Sequence, residues 1–123
     1  MSLSPPIVVA TEDQARLLQL VGAAQTEVAE QLQVELERAD VLPRNEVPED
    51  VVVMNSELEY QDVSKGQRRR LRLVYPEDAD LDAGRVSIFA PLGCALLGLR
   101  IGQEIDWRMP GGMRRLRVLS VTR

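Results

Sequence analysis

The feature that most constrains this fold is a change of hydrophobic period at Leu42-Pro43-Arg44-Asn45-Glu46-Val47-Pro48. Before that segment apolar residues recur at three- and four-residue steps, and after it they alternate with polar ones. The first spacing lines up one side of a helix and the second lines up one face of a strand. Pro43 and Pro48 remove backbone donors from either pattern, so the segment reads as a hinge. The 123 residues suit one ordinary domain, or a modest domain with an appendage. The expected division is therefore a helical part, 1–44, and a strand-rich part, 45–123.

In the first part, Thr11-Glu12-Asp13-Gln14 has the pattern of a capping box. The Thr11 hydroxyl would serve a free N–H, and Gln14 would reach back. Ala15, Leu18 and Val21 are expected on one face of a helix that ends near Gly22. A second helix is predicted from Thr26 to Asp40, with Val28, Leu32, Leu36 and Ala39 along its apolar side. Two short amphipathic helices with a brief link predict an antiparallel helical hairpin, a short coiled coil. Neither is long enough to be stable alone.

In the second part, Val51-Val52-Val53-Met54 is a β-branched run, followed by Leu58-Glu59-Tyr60. Arg70 to Tyr75 and Arg85 to Phe89 alternate as strands should, as do Ile101 to Trp107 and Leu116 to Val121. Turns fall at Ser64-Lys65-Gly66 and Pro110-Gly111-Gly112. Pro91 to Leu99 reads as a short helix, with proline at a permitted first-turn position. The expectation is an α+β protein: a helical pair, then a mostly antiparallel sheet with one helix.

Composition removes much chemistry. There is no histidine and only one cysteine, Cys94. Histidine-based nucleophilic sites and thiolate zinc sites are therefore excluded, as is an internal disulfide. No apolar run has membrane-spanning length, and Met1 to Ala10 lacks the basic start of a leader peptide. The cytoplasm is the expected compartment. With one Trp, two Tyr and one Phe the core must be aliphatic; Trp107 and Tyr75 are expected as core or rim packing, with a binding anchor the alternative for the lone Trp107. Cys94 is expected to be an inert buried thiol. Residues 1–49 carry nine acids against three arginines, whereas residues 50–123 carry ten acids against twelve bases. Overall acidity argues against a dedicated duplex DNA binder.

Several clusters were candidates for function. Asp78, Asp80 and Asp82 have the opening spacing of a calcium loop, but the glycine comes at Gly84, one place late, and Phe89 stands where glutamate is needed. The loop reads as solvated acid. The glycines between 93 and 102 lack the context of a phosphate cradle. Arg68, Arg69, Arg70 and Arg72 form a basic cluster on a strand, either a solvent face or a contact for an acidic partner or, weakly, for DNA. Ala90, Pro91, Leu92 and Gly93 stand at a strand-to-helix corner, where free N–H groups face outward. That corner is the candidate docking surface. No catalytic residue, metal, cofactor or small-molecule substrate is expected.

Val51 to Ser56, Leu73-Val74-Tyr75-Pro76, Ala90-Pro91-Leu92-Gly93 with Ala95 to Leu99, and Pro110-Gly111-Gly112 together resemble the Rnk family, the bacterial regulators of nucleoside diphosphate kinase. That family is allied with the Gre transcript-cleavage factors. The resemblance implies an FKBP-like fold from about Glu46 onward and docking to RNA polymerase at the rim of its secondary channel. It transfers the docking role to Ala90, Pro91, Leu92 and Gly93. Here Ala90-Pro91 stands for the Ser-Pro of Gre factors, and Cys94 stands for their arginine. Gre factors carry a long hairpin with an acidic pair at its tip. Each helix here, with about 12–15 residues, spans roughly 20 Å. The link Gly22 to Thr26 has no acid, and Glu27 is the nearest. The resemblance therefore implies a regulator that competes with Gre-type factors without stimulating cleavage. Alternatives are direct regulation of nucleoside diphosphate kinase or another protein, and weak prolyl isomerisation.

Overall fold

The computed structural model describes residues 6–123. Residues 1–5, half of the segment read for a leader, lie outside the described residues. The chain opens with strand β1 (Val8–Ala10), helices α1 (Thr11–Ala23) and α2 (Glu27–Arg38), and strand β2 (Asp40–Leu42). β1 and β2 pair in parallel, with Val8 opposite Asp40 and Ala10 opposite Leu42. Because β1 runs straight into α1 and β2 follows α2, the pairing sets the start of one helix beside the end of the other. Gln14 Nε2 donates to the Leu36 carbonyl at 3.3 Å across that junction.

The rest comprises β3 (Glu57–Asp62), β4 (Gln67–Val74), β5 (Arg85–Ser87), α3 (Pro91–Leu96), β6 (Glu104–Met109) and β7 (Gly112–Thr122). These strands form one five-stranded sheet in the order β5-β4-β3-β7-β6. Every pairing is antiparallel except β4 with β5, which is parallel. The α+β class is as expected. One core joins Leu17 of α1, Leu32 and Leu36 of α2, Leu58 and Leu73 of the sheet, and Ile88, Leu96 and Leu99 around α3. Trp107, Tyr75 and Cys94 are buried in it. The helix pair thus shares one core with the sheet and α3.

Several local expectations are corrected. Val51 to Met54 is not a strand of the sheet, although each of the four is at most 1% exposed. Val52 donates to the Leu99 carbonyl and accepts from Gly98 N–H, both at 2.9 Å, tying the segment to the chain after α3. Val52 and Met54 face the main core, while Val51 and Val53 face a smaller cluster with Ala10 and Val47. A segment buried on both sides reads as a continuous apolar run whatever its pairing.

The capping box at Thr11 does not form. Ala10 is the N-cap, with no side-chain bond, and Thr11 is exposed in the first turn. The working cap is at α2, where Thr26 Oγ1 accepts from Ala29 N–H at 3.1 Å. The buried side of α1 is Asp13, Leu17 and Val21, while Ala15 and Leu18 face outward. Helix α3 stops at Leu96 because Gly98 turns at a φ of +81°, a conformation in which Cβ-bearing residues are strained. Leu97 and Leu99 then fold back into the core.

Candidate functional site

The corner before α3 is built by close backbone packing. Ala90 is the N-cap, extended at φ −74° and ψ 144°, and Pro91 opens the helix. Ala90 N–H donates to the Ser87 carbonyl at 3.0 Å, which folds the chain back over the end of β5. Gly93 lies against the same backbone: a Cβ there would stand 2.3 Å from the Ser87 oxygen. Gly93 is therefore buried and lets the helix approach. Ala90, Pro91 and Leu92 are half-exposed and form the surface of the corner.

Two grooves flank this ridge. Leu92 borders the first, of about 210 Å³, with Tyr60, Asp62, Gln67, Arg69, Arg114 and Leu116. Pro91 borders the second, of about 200 Å³, with Glu27, Val28 and Gln31 of α2, Arg108 of β6 and Pro110 of the β6–β7 turn. The corner therefore meets the sheet on one side and the start of α2 on the other.

Strand alternation splits the predicted arginine cluster. Arg70 and Arg72 point away from the core. Arg70 lies 3.8 Å from Glu59, and Arg72 lies 3.4 Å from Glu57 and donates to the Asn55 carbonyl at 2.6 Å. On this outer face the strands alternate in sign, because Arg115 and Arg117 of β7 likewise pair with Asp106 and Glu104 of β6. The Arg115 guanidinium, hydrogen-bonded to Asp106, holds that carboxyl below its ordinary range. Such cross-strand pairs make the face self-neutralising. Arg68 is exposed at the strand's beginning.

Arg69 goes the other way. It is the cross-strand partner of Tyr60 and joins Leu92 in the first groove. Burial pushes the Tyr60 hydroxyl above its ordinary pKa, with Arg69 opposing, so the phenol stays a proton donor near neutrality. Two residues from separate sequence motifs, Leu92 and Arg69, are thus brought together, while Arg70 and Arg72 are not.

The acidic loop explains itself locally. Asp80 Oδ1 accepts from the N–H groups of Asp82 and Ala83 at 3.1 and 3.4 Å, and Oδ2 pairs with Arg85 at 3.6 Å. No group of acids or thiols suited to hold a metal occurs among the described residues. Cys94 is buried, and desolvation with nearby Glu35 pushes its thiol up to about 12. The Trp107 indole N–H is also buried, without a partner among the described residues.

Asp13, which the sequence shows only as part of the Thr11-to-Gln14 capping pattern, has a role that pattern does not reveal. It is 4% exposed. Its carboxyl accepts from the Tyr75 hydroxyl at 3.1 Å and from Met54 N–H at 3.3 Å, and it pairs with Arg44 at 3.5 Å. Arg16, one turn on, stacks on the Tyr75 ring at 3.7 Å and pairs with Glu77. This cluster fastens α1 to the sheet domain. Its only trace in the sequence is an acid at the helical step that Leu17 and Val21 continue.

Comparison with known proteins follows the two parts of the chain. A family model described as the C-terminal domain of the transcription elongation factors GreA/GreB matches residues 47–123, and one described as the Rnk N-terminus matches residues 5–42. The regulator of nucleoside diphosphate kinase of Escherichia coli strain K12 is 39% identical over 112 residues, covering 89% of this chain and 82% of that protein. The chain belongs to the Rnk family. A solved structure from Nitrosomonas europaea, described as a prokaryotic transcription elongation factor GreA/GreB, is 40% identical and superposes with a TM-score of 0.81, covering 98% of this chain and all (100%) of that one. GreA of Thermodesulfovibrio yellowstonii is 26% identical over 76% of this chain, which spans only 59% of that factor. GreA factor homolog 1 of Thermus thermophilus, 22% identical with a TM-score of 0.53, shares the fold. This Rnk-family chain is thus a Gre-related regulator. No helix among its described residues is long and apolar enough to cross a membrane.

Proposed function

We propose that this protein docks on bacterial RNA polymerase at the rim of the secondary channel, occupying the site of Gre-type factors without stimulating transcript cleavage. The observation that carries the reading is the form of the helix pair. α1 and α2 have 13 and 12 residues, so each is about 20 Å long, and both bury a stripe against the sheet domain. An arm of that length cannot deliver a residue deep into a channel. The link Ala24 to Thr26 also offers no acid to a catalytic metal.

In this reading the part from 45 to 123 is the FKBP-like docking domain, and the helical hairpin, 1–44, is a stabilising arm. Ala90, Pro91 and Leu92 form the ridge that meets the polymerase, with Arg69 and Tyr60 beside it. Pull-down with core polymerase tests the docking; no retention at micromolar protein refutes it. In a competition assay, adding the protein to polymerase with a Gre factor should reduce cleavage of a stalled transcript.

The name of the Escherichia coli relative favours a second reading, direct action on nucleoside diphosphate kinase. Co-purification with the kinase but not with polymerase would select it.

A further inference from the structure

We infer that the start of α2 is part of the same docking surface, so that the partner reads the second groove as well as the α3 corner. The inference rests on the polymerase reading above and adds the residues that select the partner segment. The groove between α2, α3 and the β6–β7 turn has an apolar lining of Val28, Pro91 and Pro110. Three polar side chains converge on it: Glu27, Gln31 and Arg108. None of the three has a hydrogen-bond or ion-pair partner among the described residues.

Most of the other arginines are engaged, among them Arg44, Arg70, Arg72, Arg85, Arg114, Arg115 and Arg117. Gln31 is half-buried at the groove, where its amide can donate to and accept from a group seated there. At about 200 Å³ the groove is smaller than the ~300–1,000 Å³ typical of small-molecule sites and suits a protein side chain. Pro91 belongs to both the ridge and the groove, so a chain seated on the corner runs into it. Charge complementarity gives the occupant: a polymerase segment with an aliphatic side chain between a basic group facing Glu27 and an acidic group facing Arg108.

The test is polymerase binding by the full chain and by the variants Glu27→Arg, Arg108→Glu, the double swap and Leu92→Arg, each checked for native circular dichroism. Each single reversal should weaken binding about three- to tenfold, and the double swap should weaken it further. Binding within twofold of wild type for both reversals, while Leu92→Arg is impaired, overturns the inference but leaves the docking reading standing. Recovery in the double swap overturns it too, because the two charges would then serve each other. A concentration-dependent dimer in sedimentation that Glu27→Arg dissociates would show the occupant to be a second copy, again overturning it. Failure of the wild-type chain to bind refutes the docking reading, and the inference falls with it.

Discussion

Replacing Asp13 by alanine should be among the most damaging single changes outside the aliphatic core. It leaves the Tyr75 hydroxyl and Met54 N–H without their acceptor, contacts now of 3.1 and 3.3 Å. An orphaned buried donor costs about 1–3 kcal/mol. The Arg44 contact at 3.5 Å adds less, because that side chain is 40% exposed and water can take over; its share is about 1 kcal/mol at most. Partial relaxation of the donors brings the expected total to about 3 kcal/mol. With a urea m-value of about 1.5 kcal/mol/M, the unfolding midpoint should fall by about 2 M. Asp13→Asn keeps a carbonyl acceptor and should lose about half as much. In a double-mutant cycle with Tyr75→Phe, the two losses should fall short of additive by about 1 kcal/mol. A loss below about 0.5 kcal/mol for Asp13→Ala, or strict additivity with Tyr75→Phe, would refute the view that this carboxyl fastens the helix pair to the sheet.

Three further outcomes are expected. Gly93→Ala should cost at least about 2 kcal/mol in the same urea assay, because its Cβ meets the Ser87 backbone at 2.3 Å, whereas Gly22→Ala, with nothing within 4 Å, should gain up to about 1 kcal/mol; equal effects would contradict the packing described. Cys94 should resist iodoacetamide at pH 8 in the native protein, and labelling at the rate of a free thiol would disprove its burial. Since burial holds the proton on the folded thiol up to about 12, against an ordinary value of 9.0, its stabilising contribution is complete below pH 9 and is lost as pH rises toward 12. Arg69→Glu should weaken polymerase pull-down about tenfold, while Arg70→Glu, on the opposite face of β4, should leave it within about twofold; the reverse order would move the docking surface to the outer face.

Much of the architecture was legible because periodicity reports which sides of an element are buried. The alternation of Arg70, Leu71, Arg72 and Leu73 predicted β4, and four-residue steps through Leu32 and Leu36 predicted α2. The ribbon of β1 and β2 was not legible, since a three-residue strand is too short to display a period. Val51 to Met54 misled for a related reason: burial on both faces erases alternation. The candidate site was half legible. Ala90 to Gly93 could be placed from proline at a helix start and from family resemblance, yet the two grooves beside it could not. They join residues as distant in sequence as Glu27 and Arg108, and no local pattern records such a meeting.

The sequence by itself determined the class of element in each half, the aliphatic character of the core and the absence of histidine chemistry. These follow from residue types and short-range spacing, which act before any tertiary contact forms. Tertiary structure alone decided what charge does. It paired Arg70 and Arg72 with Glu59 and Glu57 of the neighbouring strand, set Arg69 beside Leu92 in one groove, and buried Asp13 as a tether. The reason is physical: a charged side chain's role depends on the partners and solvent around it, and both are set by parts of the chain far away in sequence.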